Sequence, residues 1–340
     1  MSTTKSLSSL SPSELSSLFK SITTFVFDCD GVLYSGGTLF PYSVPCLRFL
    51  RKHGKRVIFL SNNDTISRRV YMDKFVEKGL EPDPNSIYSS GSAAAKSLAK
   101  HLHTRRRQRE QEHRNDDAPR KKDAVLYIGM DGLKEELQLQ MHNVFIFGDE
   151  FNNLSYNEDE VLRVFKEYST KYRIQAVLLG YDRAWNLFKL AFAILSLREI
   201  PECEFWATAC DTLIPWGDGN ILPGVQPIVR SIEEGSQRKL SVICGKPSTF
   251  IIDEIMEEHS INPDQIMVIG DQLETDITMA NRTGTLSTVV LSGVCSAHLL
   301  DEVNSSEERL EQRPTFMINN IGELHSLFGH LEQDNDSVHV

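Results

Sequence analysis

The sequence predicts an α/β protein built on a mostly parallel sheet. Three observations carry this expectation. Short apolar runs alternate with stretches of helical periodicity along most of the chain. Four of those runs, 25–27, 57–60, 242–244 and 266–269, are apolar throughout, which suits strands buried on both faces. Each then stops at small, polar or charged residues. If the four are neighbours, their carboxyl ends meet in one crevice, where open α/β sheets bind ligands.

Composition narrows the class. The chain has 340 residues, enough for one large domain or two smaller ones. Hydrophobic residues make up 40%, compatible with a substantial core. A net charge of −11 argues against a general nucleic-acid or membrane binder. No apolar run approaches the ~18 residues of a membrane-spanning helix. The six cysteines form no CxxC pair, which disfavours a disulfide framework and a zinc ribbon. Residues 1–17 lack the apolar centre of a signal peptide. A cytoplasmic, reducing location is expected.

The elements follow in order. Residues 1–10 are expected to be disordered, and Ser11-Pro12-Ser13-Glu14 opens a helix to about Phe19. Strand 25–27 ends in Asp28-Cys29-Asp30-Gly31. A loop over 34–40 and a helix over 44–52 lead to strand 57–60, which ends in Ser61-Asn62-Asn63. Helix 65–78, strand 87–90 and helix 93–101 continue the alternation. Residues 101–123 break it, with nearly no apolar residue, and read as an exposed charged insertion, disordered or at most a frayed helix. A docking role for Arg105, Arg106 and Arg107 is weakened by interspersed acids.

From 124 the alternation resumes: strands 124–128, 144–147, 174–179 and 205–207, with helices 133–141, 157–171, 185–197 and 225–234. These suffice for a second α/β domain. Helix 250–259, strand 266–269, helix 274–281, strand 288–291, an edge strand 315–318 and a helix 320–328 complete the chain, before a loose polar tail after Gly329. The crossings at 89–92 and 236–240 are the hinge candidates.

The polar strand ends define a chemistry. Asp28 and Asp30 stand so close that a cation or proton is expected between them. Gly31 leaves room beside them. Asp271 and Asp276 add hard oxygens, which with Asp28 suit octahedral Mg2+. An EF-hand fails, because the glycine falls at position four rather than six. Lys246 offers positive charge and Ser61 a hydroxyl donor.

Taken together, DCDGVLY at 28–34, FLSNN at 59–63, SSGSAAAKSL at 89–98, LLGYD at 178–182, ILPG at 221–224, GKP at 245–247 and GDQLETDI at 270–277 resemble the haloacid dehalogenase superfamily. Within it, their order is similar to the 4-nitrophenylphosphatase and phosphoglycolate phosphatase branch. The resemblance implies a Rossmann-like three-layer parallel-sheet core, residues 1–90 plus 241–340, with an inserted α/β cap domain over 91–240. It implies a Mg2+-dependent phosphatase of small phosphomonoesters, 2-phosphoglycolate first, with 4-nitrophenyl phosphate as an artificial substrate. Pyridoxal phosphate, glycerol phosphate or phosphotyrosine as substrate, a phosphomutase, and a non-catalytic phosphate-binding protein are the alternatives.

Roles follow from the same resemblance. Asp28 is the nucleophile that forms an aspartyl-phosphate, and Asp30 the general acid and base. The Asp30 backbone carbonyl joins Asp28 and Asp271 around the metal. Asp276 binds the metal directly or through water, or orients Lys246. Lys246 offsets carboxylate repulsion. Ser61 contacts phosphate, Asn62 phosphate or the metal shell, while Asn63 joins them or caps the next helix. Tyr181, Asp182 and Asp211 belong to cap loops beside the substrate, or orient those loops. A small phosphorylated metabolite and a second copy of the chain, met through the cap, are the implied partners, without nucleic acid or membrane. The chain departs from the family pattern at Ser61 (commonly threonine), Gln272 (commonly arginine), Glu274 (commonly aspartate) and Ala209 (commonly asparagine).

Overall fold

The structure, a computed structural model, describes residues 4–112, 121–216 and 220–336. Contacts divide the chain into two units: Met1–Ser61, Arg69–Tyr88 and Lys246–Val340 form one, and Asn62–Arg68 with Ser89–Gly245 the other. Each is built on its own sheet, as the α/β expectation requires.

In the first unit, seven strands run in the order Lys5–Ser6, Phe316–Ile318, Leu286–Val290, Ile266–Gly270, Thr24–Asp28, Arg56–Ser61 and Ile87–Ser89. Thr24–Asp28 lies parallel between Ile266–Gly270 and Arg56–Ser61, with Phe27 opposite Ile269 and Asp28 opposite Leu60. That register brings Asp28, Ser61 and Gly270 out at one edge. Every residue of Thr24–Asp28 and of Ile266–Gly270 is buried, which explains the unbroken apolar runs. Helices Pro12–Ser21, Ser43–Lys52 and Ile321–Asp336 pack together, and Phe250–His259 packs with Thr278–Thr283. Phe19 joins the first group, its ring 4.7 Å from that of Phe328 and 5.8 Å from that of Phe49. Its helix is started by a capping box: the Ser11 amide donates to Glu14 at 2.8 Å, and Ser11 Oγ accepts from the Glu14 amide at 3.4 Å.

The second unit holds five parallel strands in the order Val242–Ile243, Glu204–Ala207, Tyr172–Leu179, Lys122–Ile128 and Phe145–Phe147. Phe188, Phe192 and Leu197 of helix Leu187–Glu199, Val161 and Val164 of helix Glu158–Lys171, and Val229 and Ile232 of helix Gln226–Ser236 close its core. A hairpin, Leu213–Trp216 with Asn220–Pro223, was not foreseen in the sequence, nor was the first unit's helix Ala297–Ser305.

Several expectations are corrected. The run at 242–244 is not a neighbour of Asp28's strand: Val242 and Ile243 pair with Trp206 and Ala207 in the second unit's sheet. The crossing therefore falls between Gly245 and Lys246. Residues 236–240 lie within the second unit, where Arg238 donates to the Leu197 and Cys203 carbonyls and the Leu240 amide to Glu233. Lys5–Ser6 is an ordered edge strand paired with Phe316–Ile318, which makes the latter an inner strand. Residues 101–112 continue helix Ser90–Glu112. Arg105 anchors it to Glu204 at 3.1 Å, and Arg109 to Asp123 at 3.1 Å. The part of the expected insertion at 113–120 lies outside the described residues. The last helix runs past Gly329 to Asp336. No helix among the described residues is long and apolar enough to cross a membrane.

Candidate active site

Parallel strands that end at the same level set the site. Asp28 terminates the central strand, Ser61 its neighbour on one side, and Asp271 follows the neighbour on the other. Lys246 is the first residue of the returning chain. Its Nζ donates to Asp28 Oδ1 at 2.5 Å and to Asp276 Oδ1 at 2.6 Å, and all three side chains are buried. Asp276 Oδ2 accepts from the Gln272 amide at 3.2 Å. Asp276 thus orients Lys246 as well as standing with Asp28 and Asp271, and ligand oxygens of these three acids lie within 4.8 Å of one another.

Three carboxylates against one ammonium leave two negative charges in a buried place. The strain shows in the proton affinities. Burial, opposed by Lys246 and reinforced by Asp276 and Asp271, raises the Asp28 pKa well above the carboxylate range. Burial and Asp276 push Asp271 up to about 7. Burial works against the Lys246 charge, but Asp276 and Asp28 outweigh it and hold the ammonium above its ordinary range. Asp271 Oδ2 accepts from the Val294 amide at 2.8 Å, while its Oδ1 is buried with no hydrogen-bond partner among the described residues. A buried carboxylate oxygen without a donor, in a cluster two charges short, fits a divalent cation bound through hard oxygens.

Glycine makes this packing possible. Gly31 has φ +78°, and a Cβ there would lie 2.2 Å from Asp271 Oδ2. Gly31→Ala is expected to lower Mg2+ affinity at least ~10-fold, measured by calorimetric titration, because Asp271 must shift. Unchanged affinity would show that the close approach is irrelevant to the ion.

Asp30 is solvent-exposed two residues beyond Asp28. The protein around its carboxyl still raises its pKa, against the Gly36 amide and Lys246. An accessible acid with a raised pKa suits proton transfer to a leaving oxygen. Ser61 Oγ accepts from the Tyr71 hydroxyl at 3.1 Å.

The other expected site residues belong to the second unit. The Asn62 carbonyl accepts from Ser90 Oγ at 2.6 Å. Asn63 Oδ1 accepts from the Thr65 amide at 2.9 Å, a turn rather than a helix cap, since the helix begins only at Arg68. The Tyr181 ring packs against the second unit's core. Asp182 orients its own loop, the second of the two expected roles: its Oδ2 pairs with buried Lys189 at 2.5 Å and its Oδ1 accepts from the Ala184 amide at 2.8 Å. The Asp211 carbonyl accepts from the Gln226 amide at 3.0 Å, which ties its loop to the next helix. Among the departures from the family pattern, Gln272 keeps its main-chain bond to Asp276, Glu274 faces Arg309 at the surface, and Ala209 is buried.

Sequence reasoning missed Asp64. It is buried, accepts from Thr208 Oγ1 at 2.8 Å and from the Tyr181 amide at 3.2 Å, and burial pushes its pKa up to about 6. An acid after two asparagines reads as a turn, so no sequence signal marked it. Its folded pKa exceeds the unfolded value of about 3.9. Its contribution to stability is therefore full below about pH 4 and is lost as pH rises through 6. Relative to Asp64→Asn, the wild type is expected to lose about 2 kcal/mol between pH 4 and 8 in urea melts. A gap that ignores pH would contradict this.

Comparison with known proteins agrees with the geometry. Residues 25–140 match the family described as haloacid dehalogenase-like hydrolase, and residues 243–324 match a second family of the same kind. Phosphoglycolate phosphatase 2 of Arabidopsis thaliana is 33% identical over 304 residues, 88% of this chain and 92% of that protein. Glycerol-3-phosphate phosphatase of Rattus norvegicus is 30% identical over 318 residues, 90% of this chain and 91% of that protein. The crystal structure of 4-nitrophenylphosphatase from Thermotoga maritima superposes with a TM-score of 0.68 at 23% identity, covering 91% of this chain and 98% of that one. The chain belongs to the haloacid dehalogenase-like hydrolases. It is a hydrolase of the phosphoric monoester class, related to the phosphoglycolate and glycerol phosphate phosphatases.

Proposed function

We propose that the chain is a Mg2+-dependent phosphatase of small phosphomonoesters that works through an aspartyl-phosphate on Asp28, with 2-phosphoglycolate as the first substrate to expect. The observation that carries the reading is the buried network of Lys246 with Asp28 and Asp276, beside an Asp271 oxygen that has no hydrogen-bond partner among the described residues. Asp28, Asp271 and the Asp30 carbonyl would hold Mg2+, which when bound supplies charge neutralisation for the phosphoryl oxygens.

The remaining work falls to the chain's own groups. Lys246 bridges Asp28 and Asp276, offsets their repulsion, and adds positive charge where the ester dianion must approach. Asp28 attacks phosphorus, and the P–O bond to the leaving alkoxide breaks. Asp30 gives that alkoxide a proton, then takes one from the water that attacks the phosphorus of the aspartyl-phosphate. That attack releases inorganic phosphate and restores Asp28. Ser61 donates to a phosphoryl oxygen. The relative's action on phosphoglycolate, at 33% identity across most of both chains, supports the substrate choice.

The compartment and assembly belong to the same proposal. Six free cysteines, five of them buried, suit a reducing cytoplasm. A homodimer through the second unit is expected by resemblance, and a monomer by sedimentation at micromolar concentration would remove it. The function is tested by phosphate release from 2-phosphoglycolate, glycerol phosphate, pyridoxal phosphate and 4-nitrophenyl phosphate, with and without Mg2+. Mg2+-dependent release that is fastest on 2-phosphoglycolate supports the whole reading. A faster metabolite replaces the substrate, and no release from any ester sinks the phosphatase.

A further inference from the structure

The chain leaves strand Leu286–Val290 at the edge that carries the acidic cluster, because Val289 stands opposite Gly270 in the neighbouring parallel strand. The loop that follows, 291–296, belongs with that cluster to the first unit and lies against Asp271. The Val294 amide donates to Asp271 Oδ2 at 2.8 Å, and the Cys295 amide to the Asp271 carbonyl at 2.9 Å. Cys295 itself is buried with Leu273, Ile277 and Leu300, which roots the loop in the core. Ser292 Oγ donates to the Gly31 carbonyl at 2.7 Å. One short loop thus grips both the Asp271 side chain and the turn that follows Asp28.

The grip is close on both sides. A Cβ on Gly293 would overlap Asp271 Oδ2, and so would one on Gly31. The latter would also lie 3.1 Å from the Gly293 Cα. Gly293 keeps its φ outside the left-handed region, so nearness rather than backbone freedom calls for glycine there. Oδ2 is therefore walled by two main chains and accepts an amide proton, whereas Oδ1 is buried with no hydrogen-bond partner among the described residues. A carboxylate fixed in this way presents one oxygen. Across the turn, the Gly31 amide donates to the Tyr34 carbonyl at 2.7 Å, and that amide shares its peptide group with the Asp30 carbonyl. Ser292 and Tyr34 thus hold the two peptide groups that flank the Gly31 Cα.

We propose that the Ser292–Val294 loop is a positioning element for the divalent cation: it holds Asp271 to single-oxygen ligation and fixes the Asp30–Gly31 turn beside it. The inference rests on the metal-dependent reading above. Ser292 and Gly293 act through Asp271 and the Gly31 peptide rather than as ligands. Groups that orient a ligand in this way typically cost about 10–100-fold in metal affinity when lost. Two cations respond differently to a displaced ligand. Mg2+ demands near-ideal octahedral geometry, whereas Ca2+ accepts about six to eight oxygens in a flexible shell. A shift of Asp271 therefore weakens Mg2+ more than Ca2+.

Calorimetric titration of the full chain with Mg2+, and separately with Ca2+, tests this in Ser292→Ala, Ser292→Thr and Gly293→Ala. Ser292→Ala and Gly293→Ala are each expected to weaken Mg2+ binding about tenfold and Ca2+ binding less than about threefold. Ser292→Thr keeps the hydroxyl donor and should stay within about threefold of wild type for both ions. Mg2+ binding that is unchanged in either of the first two variants overturns the proposal, as does Ser292→Thr losing as much as Ser292→Ala. An equal fall for both ions marks a merely structural role and overturns it too. A wild type that binds Mg2+ but releases phosphate from no ester sinks the phosphatase reading alone, and the titrations still decide the role of the loop. A wild type that binds no Mg2+ sinks both.

Discussion

Asp28→Asn is expected to lower kcat on every ester by about four orders of magnitude or more, with the fold intact. The amide keeps the size and one acceptor oxygen of the carboxylate but cannot form the acyl phosphate. Nucleophiles that act within a constellation show losses of this order when removed singly. Stability should move the other way. The Asp28 pKa is raised in the folded chain, so its ionised form is disfavoured there relative to the unfolded chain. Metal-free Asp28→Asn should therefore melt no lower than wild type at pH 7.5. Phosphate release and urea melts check the two halves. Residual turnover within tenfold of wild type would move the nucleophile elsewhere.

Lys246→Met is expected to damage both chemistry and stability. It removes the ammonium that accepts both Asp28 and Asp276 as partners, and leaves three buried carboxylates with no cation among them. Breaking a buried pair by removing one partner typically costs about 3–5 kcal/mol. We expect a loss of that order in metal-free protein at pH 8, with kcat/KM down by about 10^3-fold. The pH dependence has a definite sign. Asp271 titrates at about 7 and Asp28 above the carboxylate range, so acidification protonates the cluster and relieves its repulsion. The stability deficit should shrink from pH 8 to pH 5.5. A deficit under about 1 kcal/mol at pH 8, or one that grows on acidification, would contradict the proposed charge balance.

The edge that carries the acidic cluster was legible because each of its residues ends an apolar run, and strand direction turns that pattern into proximity. Asp28, Ser61 and Asp271 needed no more than that. Lys246 was placed rightly for a wrong reason. An apolar run reveals a strand but not its sheet, and Val242 and Ile243 pair with Trp206 and Ala207 rather than with the strands beside Asp28. Composition misread 101–112, where charge suggested disorder but Arg105 and Arg109 find Glu204 and Asp123 across the fold. The partnership of Asp182 with Lys189 is invisible for the same reason, since only tertiary packing removes both charges from water. Asp64 shows the limit most clearly. Its partners stand 117 and 144 residues away, and nothing local distinguishes it from a turn acid.

The central claim is that Asp28 carries the phosphoryl group. It is tested most directly by rapid acid quench during turnover of a phosphorus-labelled ester, followed by peptide mapping. The account predicts a hydroxylamine-labile label on the peptide that contains Asp28, absent from Asp28→Asn. Turnover with no labelled peptide, or with the label on another residue, would contradict it.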